Sequence, residues 1–114
     1  DKAIQATCRP DVEVAPGCVH LAPILESVGR SVDPASCRLS VNATNRQVAE
    51  VADGVAARNV ARVVGEIRHR SGVLEGMIRA EQLGIVGMIF DVSSGATSVV
   101  PGTMAGLPPG VTTE

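Results

Sequence analysis

The residues able to ligate a metal or act as nucleophiles are few, and the most reactive among them are Cys8, Cys18, His20, Cys37 and His69. Cys8, Cys18, Cys37 and His20 make up a Cys3His set, a composition that zinc accepts because thiolate sulfur and imidazole nitrogen are its ordinary donors. Structural zinc sites, however, draw on close cysteine pairs, and this chain has no C-x-x-C. The cysteines are therefore read as loop thiols, free or part-buried. His20 is placed near the start of a helix, and His69 on the solvated last turn of a longer one. No G-x-S-x-G is present, and neither histidine has a patterned Ser or Asp partner for nucleophilic catalysis.

Three other patterns have simpler readings than their functional ones. Gly84-Ile85-Val86-Gly87 enters a strand, whereas a phosphate-binding loop follows a strand and opens a helix. Arg58, Arg62, Arg68 and Arg70 suggest a stripe for anions, but Glu50, Asp53 and Glu66 interleave with them, as on a solvated helix face. Asn42-Ala43-Thr44 matches the glycosylation acceptor triplet, which is frequent by chance. No residue is assigned a catalytic, cofactor-binding or metal-binding role.

The elements that must position these residues are built from an unusual palette. The chain has 114 residues, 45% of them apolar, but only one Phe, no Tyr and no Trp, so its core relies on Val, Ile, Leu, Met and Ala. A net charge of −2 gives no reason to expect nucleic acid or an anionic membrane as partner. No apolar run approaches the roughly 20 residues that span a bilayer. Three cysteines, an odd number without a close pair, fit a reduced compartment, and a cytoplasmic location is expected. The first residue is Asp1, not Met, with no signal-peptide pattern after it, and a fragment of a larger protein is the expectation.

Local signals predict a short helix over 2–7 and a loop over 8–17. A helix from near Leu21 carries Leu21, Ile24, Leu25, Val28 and Val32 on one face and stops at Gly29 and Asp33-Pro34. Residues 36–44 read as irregular. A long helix from about Asn45 to Arg70 comes next, with Val48, Val51, Val55, Val60, Val63, Val64 and Ile67 along one side. Ser71 caps a shorter helix whose apolar side is Val73, Leu74, Met77 and Ile78, and Gly84 supplies the left-handed residue past its end. Ile85–Phe90 reads as a strand covered on both faces. Ser93-Ser94-Gly95 then turns the chain so that Thr97–Val100 pairs back as a hairpin. Residues 101–114, with three Pro and three Gly, read as a flexible tail.

The stretch R-N-V-A-R-V-V-G-E-I-R-H-R-S-G-V-L-E-G-M-I-R-A-E-Q-L-G-I-V-G-M-I-F-D-V-S-S-G, residues 58–95, resembles the C-terminal part of the β-class carbonic anhydrases. That family carries an Asn-Val on a long helix, a Ser-led shorter helix, and an I-V-G-x-x-Y-D strand before a Thr-Gly-type turn. The resemblance covers about residues 21–100. The opening D-K-A-I-Q-A is similar to the segment around the zinc-binding Cys of the family's H-x-x-C-G-A motif, with Asp1 in place of that Cys and Lys2 in place of the Gly.

The resemblance implies an α/β fold, the C-terminal part of a parallel-sheet domain with flanking helices over residues 1–100, and a separate tail over 101–114. It implies carbonate dehydratase chemistry in the family, in which zinc-bound hydroxide hydrates carbon dioxide to bicarbonate, and it implies homo-oligomers. The family's C-x-D-x-R and H-x-x-C ligand motifs are not in this sequence, so the chain alone is expected to hold no zinc and to be inactive. The alternative is a non-catalytic, carbonic-anhydrase-like interaction or regulatory domain, for instance from a longer protein of the anion-transporter type.

Overall fold

The computed structural model describes residues 7, 8, 20–39, 44–108 and 110. Among them the elements run α1 (Leu21–Gly29), α2 (Pro34–Leu39), α3 (Asn45–Arg70), α4 (Gly72–Arg79), β1 (Met88–Phe90) and β2 (Thr97–Val99). The chain divides into two compact units, Asp1–Asn59 and Val60–Glu114, with the boundary inside α3. The expected parallel-sheet α/β domain is corrected. Among the described residues the structure is mostly helical, and its sheet is one antiparallel pair, β1 with β2.

In the first unit, α3 starts where Thr44 and Gln47 satisfy each other. The Thr44 backbone N–H donates to Gln47 Oε1 at 2.9 Å, and the Gln47 N–H donates to Thr44 Oγ1 at 3.4 Å. This reciprocal box meets two donors that a helix start otherwise leaves bare. Pro34 opens α2 from the first helical position, where its missing N–H costs nothing. Residues 36–39 are thus helical rather than irregular. α1 has no buried residue, and Ile24 on its expected apolar face is 55% exposed.

What ties this unit together is largely polar or covalent. Arg58 donates from Nε to the Ser31 carbonyl at 3.0 Å and pairs with Asp33 at 3.4 Å. The buried Ser31 hydroxyl donates to Asn59 Oδ1 at 3.3 Å. Cys8 and Cys37 form a disulfide, so the reading of these two as free loop thiols is corrected. Cys18, Asp1 and the rest of the expected helix over 2–7, apart from Thr7, lie outside the described residues. Val55 is the buried apolar side chain of α3.

In the second unit, Ser71 breaks the helical path at φ −118°, ψ 96° and caps α4 by accepting from the Leu74 N–H at 3.3 Å. Of the apolar side expected for α4, Ile78 is buried but Val73 is 75% exposed. The left-handed residue past its end is Glu81, at φ 56°, and not Gly84. The Gln82 N–H donates to the Met77 carbonyl at 2.9 Å and the Glu81 N–H to the Ile78 carbonyl at 3.1 Å, which closes a Schellman turn.

The hairpin forms as its turn signals predict, with Met88 opposite Val99, Ile89 opposite Ser98 and Phe90 opposite Thr97. The run 85–90 is not a strand covered on both faces, because Met88 and Phe90 are 46% and 60% exposed. Nor is 101–107 a free tail. Ala105 bridges Ile85 with bonds of 2.9 and 3.0 Å. Buried Thr103 accepts from the Gly87 N–H at 2.9 Å and donates to the Val100 carbonyl at 2.6 Å.

Gly87 is a point of close approach in this arrangement. A Cβ there would lie 2.5 Å from Val60 Cγ1 and 2.9 Å from Thr103 Oγ1. The hairpin strand can approach α3 this closely only at backbone level.

Two substitutions should therefore move stability in opposite directions. Gly87→Ala is expected to cost about 1–3 kcal/mol by overpacking. Glu81→Gly should gain up to about 1 kcal/mol by relieving a left-handed residue. Chemical denaturation of both variants beside the parent checks this, and a midpoint for Gly87→Ala equal to the parent would contradict the packing at Val60 and Thr103.

Candidate functional site

The last turn of α3 carries Arg68, His69 and Arg70, where cations offset the negative end of the helix dipole. The first turn of α4 carries Glu75, where an anion offsets the positive end. Because Ser71 turns the chain between them, Arg68 and Glu75 meet as a fork. Arg68 Nε lies 2.7 Å from Glu75 Oε2, and Nη2 lies 3.0 Å from Oε1. One turn further along α4, Arg79 Nε donates to the same Oε1 at 2.9 Å. Two guanidinium groups thus clasp one carboxylate.

The electrostatics arise from that geometry. Hydrogen bonds from Arg68 and then Arg79 hold the Glu75 carboxyl at about 2, against an ordinary value of 4.5. The same bond raises Arg68 above its ordinary range. A second depressed carboxyl, Asp91, sits at about 2, chiefly because the Ser93 hydroxyl donates to it, helped by the Ser93 N–H and the Ser94 hydroxyl. Asp91 thereby fastens the hairpin turn, with Ser93 Oγ and N at 2.7 and 2.8 Å from Oδ1.

Around the clasp lies a cleft of about 650 Å³ lined by Gly65, Arg68, His69, Gly72, Glu75, Gly76 and Arg79. A Cβ added at Gly65, Gly72 or Gly76 would meet nothing within 4 Å, so these glycines open space rather than accommodate a neighbour. The two arginines and one glutamate of the lining together carry a net charge of +1. None of the lining residues carries a hydroxyl or thiol, and the arrangement is suited to recognising charge.

His20 is exposed just ahead of α1 and makes no side-chain capping bond, as its position in the sequence suggests. His69 is on the last turn of α3 as expected, but there it faces the cleft. The arginine stripe is largely neutralised: Arg62 pairs with Glu66, Arg70 with Glu66 at 3.7 Å, and Arg58 with Asp33 at 3.4 Å. The sequence sets Arg68 in that stripe and does not single out its partner Glu75. The signal that could have found the pair is a basic helix end and an acidic helix start separated by a Ser-Gly break.

Of the Cys3His set weighed for zinc, two residues are committed elsewhere. Cys8 and Cys37 are bonded to each other, so their sulfurs are not thiolate ligands, and Cys18 lies outside the described residues. Among the described residues no group of three or more His, Cys, Asp and Glu is placed to hold a metal ion. No helix among them is long and apolar enough to cross a membrane. Compared with protein-family models, with curated proteins and with solved structures, the chain matches none.

Both carboxyls titrate below their unfolded values, so their stabilising contributions are complete above about pH 4.5 and disappear as the pH falls toward 2. A carbon-detected NMR titration should place the Glu75 midpoint near 2 in the parent and move it up toward 4.5 in Arg68→Gln. An ordinary Glu75 midpoint in the parent would mean the clasp does not form in solution.

Proposed function

We propose that this chain acts as a non-catalytic scaffold and interaction module of the β-carbonic-anhydrase type. The observation that carries the reading is the work done by residues of the resembling stretch. Asn59 accepts from Ser31, Val60 closes on Gly87, Ser71 caps α4, and Asp91 fastens the hairpin turn. Each of these side chains takes part in a contact that holds the local structure together. The proposal rests on these residues and not on a parallel sheet.

Hydration of carbon dioxide by zinc-bound hydroxide needs about three protein ligands and an open position for water. Donors so arranged are not found among the described residues. The chain's own contribution is therefore support and association. In a stopped-flow assay with added zinc, the purified chain should hydrate carbon dioxide no faster than buffer. A rate proportional to protein and abolished by a chelator would overturn the non-catalytic reading.

The partner best supported by the surface is a second copy of the chain. Met88 and Phe90 point from the same side of β1, and Val92 in the adjoining turn is 88% exposed. Exposed apolar side chains next to a strand edge favour edge-on association. Light scattering after size-exclusion chromatography should give a mass above the monomer. Phe90→Glu combined with Val92→Glu should return it to the monomer mass. A parent that is monomeric at all concentrations tested would remove the second copy as partner.

A further inference from the structure

We propose that the cleft at the α3–α4 corner is a binding site for a small organic oxyanion, a carboxylate or phosphate group carried on a compact body. The inference stands on the cleft itself and is independent of the carbonic-anhydrase-type reading.

The first argument is charge. Glu75 neutralises one of the two guanidinium groups that touch it, and the second positive charge remains uncompensated within the lining. Glu75 engages Arg79 through Nε alone. The two Nη groups of Arg79 therefore present a free fork of donors, in the planar geometry that matches two oxygens of one carboxylate or phosphate. Arg68 spends Nε and Nη2 on Glu75, which leaves Nη1 as a further donor.

The second argument is preorganisation. A lone surface arginine loses rotamer freedom when it grips an anion, and that loss weakens binding. Here Glu75 already holds both guanidinium groups in place, and the Glu75 side chain is itself only 19% exposed. Part of the ordering is complete before the ligand arrives.

The third argument is shape. The cleft is open to solvent, and its volume of about 650 Å³ is far larger than a bare inorganic ion requires. Gly65, Gly72 and Gly76 keep one wall at backbone level, with open space where their side chains would be. A flat or slender ligand body can lie against that wall while its oxyanion reaches Arg79. Gly72 also begins α4, whose positive dipole end adds to the attraction.

The test uses the full chain, isotope-labelled, titrated at constant ionic strength with inorganic phosphate, phenyl phosphate and benzoate. The amides of Gly65, Gly72 and Gly76 are expected to shift saturably with at least one organic oxyanion, which should bind about tenfold more tightly than inorganic phosphate. Binding of phenyl phosphate alone assigns the group as phosphate, and binding of benzoate as well extends it to carboxylates. Arg79→Gln should weaken binding about tenfold or more, with partial recovery in Arg79→Lys. Gly76→Leu fills the open space without a clash and should abolish binding with the fold retained, as judged by circular dichroism. Shifts that fail to saturate, or saturable shifts that persist unchanged in both Arg79→Gln and Gly76→Leu, would overturn the proposal.

Discussion

The chain contains a single aromatic ring, and Phe90 holds it largely in solvent. Aromatic side chains ordinarily bury the largest areas in a small domain. Without them, Val55, Ile78 and Val100 are the buried apolar side chains among the described residues. Specific polar and covalent ties must then fix the geometry that bulk burial would otherwise fix. The Arg58 contact to the Ser31 carbonyl, the Cys8–Cys37 bond, the Thr103 node and the Arg68–Glu75 fork all answer that need. Such ties are directional, so small changes at them alter position as well as stability.

Features governed by neighbours in the chain were legible from the sequence. The limits of α3, the Ser71 cap and the hairpin through Ser93-Ser94-Gly95 depend on caps, periodicity and turn chemistry within a few residues. Features governed by distant residues were not. Whether the run 85–90 is covered on both faces depends on which elements lie over it, and an apolar run does not encode that. Pro34 carries two meanings, a stop for one helix and a favourable start for the next, and the second applies. Glu81 takes the left-handed position because the helix ends at Arg79, five residues before Gly84. Gly84 is instead needed where a side chain would collide with Leu107.

The candidate site was harder to see than the fold for a related reason. Arg68 belongs by sequence to a row of helix-surface arginines, and only the bend at Ser71 singles it out. Glu75 is seven residues away and, if the helix continued straight, would lie on the same face but two turns along, roughly 10.5 Å from Arg68. The cleft is likewise invisible to composition, since glycines in helices are ordinarily read as weak points. Here the helix break converts a charge pattern into a shaped site.

The polar and covalent ties named above have a further property: each closes a loop of moderate length. The widest is the disulfide, which spans 29 residues, and the Ser31–Asn59 and Gly87–Thr103 bonds span 28 and 16. Loop-closure entropy rises only slowly with length and is modest at these separations. Each of these closures also lies within one of the two compact units. Each unit can therefore complete its own connections soon after its last residue leaves the ribosome. Formation of the Cys8–Cys37 bond, which proceeds in seconds to hours depending on oxidant, is left as the slow step of maturation in the first unit.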